Sequence, residues 1–489
     1  MTDSADVNPR EPEGAATQAG GHTFRRSVGL LSATAINMTQ MVGIGPFITI
    51  PLMVATFAGP QAIVGWVAGA LLAICDGLVW AELGAAMPGA GGTYLYLREA
   101  FQYRTGKLMP FMFIWTIILT IPLIMSTGII GLEQYLSYFF PNLSYWPMHL
   151  IGIGVVAAII ILLYRKIESI SMITTALWVI MLLAVGLTIA ASYSNFHPSL
   201  AFHYPHNAFA GGFAAALGAG LLIAIYDYLG YNTTAYMGGE LRNPGRVMPR
   251  SIIISIVAIM VIYLALNIGV VGVLPWPKVA HATSVASLAV THNWGRAAAD
   301  LVTVLILITA FASVFAGLLG GSRVPFHAAR DRLFFGVFGR LHPKYDFPHV
   351  SLLVMGLITA AGSFFTLTTV INVLLAVVIW VQAVAQIVAL TVLRRRQPGL
   401  IRPYKQWLYP VPSLAALAGW LYVYASATSA ALIWSTVWLA AGVVAYLGWA
   451  RYHRNWPFGP KQIREVFLET QREHPDQVAA ERGAQWADS

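Results

Sequence analysis

Apolar runs of bilayer-crossing length recur along this chain, separated by short segments that collect most of its lysines and arginines. About 20 helical residues cross a hydrocarbon core, and the pattern predicts twelve such helices. Span 1 covers Val28–Phe57, span 2 Gln61–Met87, span 3 Lys107–Phe139, span 4 Pro147–Tyr164 and span 5 Ser169–Tyr193. Span 6 follows the loop Ser194–Ala210, span 7 covers Pro249–Leu274 and span 8 Ala297–Arg323. Span 9 is His349–Thr366, span 10 Val370–Leu393, span 11 Tyr409–Ser426 and span 12 Ala431–Ala450. The first 22 residues have no apolar core and read as a disordered tail without a cleavable signal peptide.

Two spans are interrupted. Span 1 contains MVGIGPFITIP, in which Gly43, Gly45, Pro46 and Pro51 place four helix breakers within nine residues. Span 6 contains AIYDYLGYNTTAYMGGELRNPGRVMPR, Ala224–Arg250, which breaks at Gly230 beside Asp227, Tyr226, Tyr228 and Tyr231. Its NPGRVMPR tail, with two prolines and two arginines after Arg242, is expected to close the helix. In a bilayer, freed backbone groups cost several kcal/mol unless they line a cavity or bind something. One such break alone is as well explained by a packing glycine; a matched pair with an acid beside it points to a binding site.

Composition agrees with the span count. The chain is 57% hydrophobic and 10% charged, with a mean hydropathy of +0.68, whereas soluble domains carry about 25% charge. The net charge of +9 would suit a nucleic-acid partner, but its distribution excludes one. Of the 29 Lys/Arg, 27 lie in alternate segments: the N-terminus, loops 2–3, 4–5, 6–7, 8–9 and 10–11, and the C-terminus. The other two, Lys278 and Arg296, lie in loop 7–8. The positive-inside rule then puts both termini in the cytoplasm of a cell-membrane protein. Spans 1 and 6 thereby run in opposite directions, five spans apart. The predicted fold is an all-α polytopic membrane protein with an inverted five-helix repeat, spans 1–5 against 6–10, and spans 11–12 appended. Cys75 is the only cysteine, so neither a disulfide framework nor a thiolate metal site is available.

The chemistry of the paired breaks follows from helix ends. Where the outer half of span 1 restarts, amides without intrahelical partners carry partial positive charge and suit a carboxylate. Where the outer half of span 6 stops near Leu229, free carbonyls suit an ammonium. An α-amino acid presents both groups. Tyr226 and Tyr231 are placed to close over it as a gate or side-chain pocket.

Five sequence stretches resemble one family. GIGPF in span 1, AELGAAMPGAGGTYLYLREAF after span 2, YLGYN with GELRNPGRVMP around span 6, SRVPFHAARDRLF…LHPKYDFP after span 8, and IRPYKQWLYPVP after span 10 occur in order and on the right spans. Over residues 28–450 the chain resembles the amino acid–polyamine–organocation superfamily of secondary transporters. The resemblance implies a permease that moves amino acids by alternating access, with 23–450 as the transporter domain between cytoplasmic tails 1–22 and 451–489. It also implies that the backbone of Gly43, Ile44 and Gly45 holds the carboxylate, while Ile225, Tyr226, Leu229, Gly230 and Tyr231 hold the amine and form the gate. Pro46 departs from the family's usual small or branched aliphatic residue. It resembles the GPF of the polyamine-uptake branch, as CDGLVWAEL resembles that branch's span 2. A polyamine or other organic-cation transporter is therefore the alternative, and a transporter-like amino acid sensor a more distant one.

The remaining polar residues divide. Asp76 and Asp227 are candidate acids for the substrate amine or a coupling proton; the bland reading of Asp76 is a structural hydrogen bond. Glu82 and Glu240 are expected to pin loop arginines rather than relay protons. Arg323, Arg330, Asp331 and Arg332 read either as a cytoplasmic charge network or as a plain positive-inside cluster. His197, His203 and His206 lack the acid and spacing of a metal site and read as a solvated loop. Ser313 sits where sodium-coupled relatives place hydroxyls near span 1. Span 5 has no lysine in its core, which leaves exchange or uniport, Na+ coupling, or protons carried by Asp76 or Asp227. One short helix is expected near Ile463–Leu468. HExxH, GxSxG and P-loop patterns do not occur, and no nucleophile and base share a depth, so the chain reads as neither an enzyme nor a cofactor carrier.

Overall fold

The computed structural model describes residues 28–87, 93–164, 170–236, 241–343 and 347–460. The N-terminal tail, residues 461–489 of the C-terminal one with the short helix expected at Ile463–Leu468, Glu240 and part of MPGAGG lie outside the described residues. In chain order the helices are α1 Leu30–Met41, α2 Gly45–Phe57, α3 Ile63–Ala86, α4 Thr93–Thr105, α5 Leu108–Leu136, α6 Tyr145–Leu163 and α7 Ile170–Ser194. They continue as α8 Pro198–Phe202, α9 Phe213–Tyr228, α10 Thr233–Tyr236, α11 Pro244–Val273, α12 Trp276–Ala280, α13 Val285–Trp294 and α14 Arg296–Gly321. The last are α15 Arg323–Arg330, α16 His349–Gly362, α17 Leu367–Val378, α18 Ala385–Arg396, α19 Val411–Ala425 and α20 Ser429–Tyr452. A π-helical turn, Ile379–Val384, joins α17 to α18.

Among the described residues, seven helices are long and apolar enough to cross a bilayer, and the bent pair α1 and α2 makes an eighth. Four shorter apolar helices, Trp178–Ser194, Phe213–Tyr228, His349–Gly362 and Val411–Ala425, complete the twelve spans. Their packing follows the inverted repeat. Span 2 packs on span 7 (α3 on α11) and span 3 on span 8 (α5 on α14), each pair mapping onto itself when five is added. Span 1 against 7 mirrors span 6 against 2, and span 5 against 8 mirrors span 10 against 3.

Small residues let these helices approach. A Cβ on Gly69 would come within 2.5 Å of Ala224 Cβ on α9, and one on Gly77 within 2.8 Å of Ile252 on α11. Such close approach is the usual basis of helix association in lipid.

One boundary differs from expectation. NPGRVMPR opens α11 rather than closing span 6: Asn243 adopts φ 49° ahead of the helix and Pro244 occupies its first turn. Proline is at home there, because the N–H it lacks would have no partner in any case. Two further features are not apparent from hydropathy: α4, a largely buried helix between spans 2 and 3, and α13, a helix within the loop between spans 7 and 8.

The basic segments meet on one face. Glu82, at the end of α3, accepts from Arg394 Nε at 2.8 Å and Nη2 at 2.5 Å, and from the Gln406 amide at 2.6 Å. Arg402 Nε lies 3.5 Å from the same carboxylate. Glu82 thus pins loop arginines, as expected. Arg396 donates to the carbonyls of Glu99 and Ala100 on α4. The Arg242 amide donates to Val28 O at 2.9 Å, fastening the start of span 1 to the segment before span 7. Tyr94 donates to Asp331 at 3.2 Å and Lys107 to Arg332 O at 3.4 Å, so this loop is tied to α4 and the start of α5. Burial pushes the Asp331 carboxyl above its ordinary range, partly offset by the Tyr94 hydroxyl.

Candidate functional site at two broken helices

Span 1 breaks at Val42–Ile44, where the axes of α1 and α2 bend by 55°. Pro46 stands in the first turn of α2. Among the described residues no backbone carbonyl accepts from the Gly43 or Ile44 amide. Gly43 is partly exposed, whereas Ile44 is buried and packs against Gly131 of α5. Pro51, inside α2, leaves the Phe47 carbonyl without its intrahelical donor. Tyr135 supplies one instead, its hydroxyl donating to Phe47 O at 3.1 Å.

Span 6 breaks at Leu229, where ψ turns to 135°, and Gly230 has φ 115°. A side chain on Gly230 would be strained by that dihedral and would meet the Gln40 backbone at 2.9 Å. The carbonyls of Tyr228 and Leu229 accept from no backbone amide among the described residues. Leu229 and Gly230 are partly exposed and Ile225 is fully buried. Thr234 and Asn37 bond reciprocally: the Thr234 amide donates to Asn37 Oδ1 at 3.0 Å, and Asn37 Nδ2 donates to Thr234 Oγ1 at 3.3 Å. The first half of span 1 is thereby joined to the second half of span 6.

The breaks lie against each other. Asp227 and Tyr226 are the neighbours a Cβ on Gly45 would meet. Asp227 is buried; its Oδ2 accepts from Thr49 Oγ1, while Oδ1 has no hydrogen-bond partner. Thr49 also reaches the Gly45 carbonyl at 3.0 Å. Tyr226 shares a 2.5 Å hydrogen bond with Thr127 of α5. Ser313 of α14 faces Gly43, its Oγ 2.5 Å from where a Cβ would stand.

Asp76 and Tyr231 are brought to each other. Tyr231 donates to Asp76 Oδ2 at 2.5 Å, Trp80 to the same oxygen at 2.9 Å, and Trp420 to Oδ1 at 3.0 Å. Both carboxyl oxygens are engaged by protein, and the knot fastens α3, the span 6 break and α19 together.

The residue missed by sequence reasoning is Tyr263 of α11. Its buried hydroxyl lies 2.8 Å from Met41 O and 3.0 Å from Asp227 O, at the ends of the first halves of both broken spans. Its ring packs on Trp66 and Tyr228. In the sequence it is one aromatic in an apolar run. Among the described residues no three His, Cys, Asp or Glu side chains gather as a metal would require.

Comparison with known proteins bears on this arrangement. A branched-chain amino acid permease of Bacillus subtilis is 26% identical over 460 residues, covering 90% of this chain and 96% of that protein. Its counterpart in Lactococcus lactis is 25% identical over 85% of this chain and 93% of its own length. A serine/threonine exchanger of Bacillus subtilis is 26% identical over 82% and 91%. These names favour amino acids over the polyamine alternative. A family model described as amino acid permease matches residues 28–450, and with broken helices 1 and 6 face to face in a twelve-span bundle, the chain belongs to the amino acid permease family.

Proposed function

We propose that this permease carries a zwitterionic amino acid by alternating access, with the substrate held between the two breaks. The substrate carboxylate docks on the free amides of Gly43, Ile44 and Gly45. Its ammonium docks on the carbonyls where α9 ends, from Ile225 to Leu229, with Tyr226 over it as the gate. The observation that carries this reading is the juxtaposition of Gly45 with Asp227 and Tyr226. It puts a donor-rich helix start beside an acceptor-rich helix end. Asp227 Oδ1, buried and without a partner, is the atom proposed to hold a coupling proton. The basic face is assigned to the cytoplasm of the cell membrane by the positive-inside rule.

A competition panel in proteoliposomes tests this. Neutral amino acids are expected to block uptake of a labelled neutral amino acid, putrescine and spermidine are not, and an inward proton gradient drives accumulation. Competition by diamines but not amino acids would overturn the substrate assignment, and uptake indifferent to pH would overturn the role of Asp227.

A further inference from the structure

On the basic face, away from the broken helices, an open groove of about 760 Å³ lies between the end of α18 and the start of α19. Four cations line it: Arg394, Arg395, Arg402 and Lys405. Glu82 is the acid they meet, and it is taken by Arg394 and Arg402. The Arg402 guanidinium also donates to the carbonyls of Leu393, Gln397 and Leu400, and Arg394 stacks 3.8 Å over Tyr409. Arg395 and Lys405 are exposed and have no ion-pair partner among the described residues. The groove therefore carries uncompensated positive charge.

Its other wall is apolar. Ile387 and Val388 of α18 face Leu414 and Leu417 of α19 across it. Val388, Leu414 and the neighbouring Val411 are 40%, 58% and 63% exposed. These helices belong to a membrane bundle, so their outward apolar surface meets acyl chains. The cations cluster where α18 ends and the chain turns back, and Trp407, 72% exposed in that turn, is a residue type favoured at headgroup level. Free cations above an apolar, lipid-facing wall match one amphiphile: a phosphate headgroup with its glycerol and acyl chains beneath.

We propose that this groove is a binding site for an anionic phospholipid. Its phosphate is held by Arg395 and Lys405, and an acyl chain lies along Val388 and Leu414. The site is independent of which amino acid the permease carries.

Native mass spectrometry of the full-length, delipidated protein tests it, titrating dioleoyl phosphatidylglycerol, dioleoyl phosphatidylcholine and glycerol 1-phosphate separately. Phosphatidylglycerol should bind in preference to phosphatidylcholine. The Arg395→Gln/Lys405→Gln double variant should weaken that binding about twenty-five-fold, at roughly fivefold per cation, and leave phosphatidylcholine unchanged. Lys405→Arg, which keeps the charge, should bind as wild type. Equal retention of both lipids by the wild type, or undiminished phosphatidylglycerol binding by the double variant, would overturn the proposal. Displacement of the lipid by equimolar glycerol 1-phosphate would likewise overturn it, by making the groove a soluble-anion site.

Discussion

At the scale of single residues, the site rests on a few buried polar groups whose partners can be removed one at a time. Tyr263→Phe deletes the hydroxyl shared by Met41 O and Asp227 O. A buried acceptor left without its donor costs about 1–3 kcal/mol. The variant should be destabilised by about 2 kcal/mol, read as a lower melting temperature in detergent, and an unshifted melt would remove Tyr263 from the account. Asp227→Asn is nearly isosteric but cannot carry a proton. Substrate binding and exchange should persist while pH-driven accumulation disappears, measured by counterflow beside gradient-driven uptake; accumulation at the wild-type level would reject the assignment. The two residues differ in how readable they were. An acid in a broken apolar span stands out because burying one is expensive. A tyrosine among isoleucines does not, since only the three-dimensional path of spans 1 and 6 brings two orphan carbonyls to its hydroxyl.

At the scale of elements, the interruption of span 1 is what the substrate carboxylate would use, so filling it should abolish binding. Gly43→Leu and Gly45→Leu should reach the membrane and yet bind no amino acid in a scintillation-proximity assay. Wild-type binding by either would reject the role given to the backbone there. A finer test uses the facing residue. A Cβ on Gly43 would stand 2.5 Å from Ser313 Oγ but 3.6 Å, an ordinary contact, from Ser313 Cβ. Gly43→Ala should therefore impair uptake, and Ser313→Ala should restore much of it in the double variant; no rescue would mean that the clash lies elsewhere. Glycine and proline made this element legible, because they leave a mark in sequence wherever a helix stops. The same punctuation misled at NPGRVMPR. A proline after a polar stretch fits the end of one helix and the first turn of the next equally well, and only the backbone at Asn243 distinguishes them.

At the scale of the whole molecule, the twelve spans and their inverted repeat were legible because lipid permits few architectures and the cations alternate with the spans. The loop helices α4 and α13 were not, for at 13 and 10 residues they fall short of a span and carry no distinct apolar stripe. The basic face is closed by Glu82, which binds α18 and the following turn to α3. Its side chain is 1% exposed, against 22% for Arg394 and 7% for Arg402. Glu82→Gln would strand two partly buried guanidinium groups, and breaking such a pair from one side costs about 3 kcal/mol. The variant should melt lower and open more readily on this face, seen as faster amide exchange in α18; unchanged exchange there would mean that the closure lies elsewhere. Upstream of Arg394, the π-helical turn Ile379–Val384 takes up one residue more than an α-helix would over the same rise. Removing a single codon from that turn, Ala383 for example, should return it to plain α-helix and leave Arg394 facing Glu82. One extra codon placed between the turn and Arg394, where nothing absorbs it, would instead screw the arginine round by about 100°. The turn is thus a slack link in the chain, a place where length can change by one residue without altering which way the closure faces.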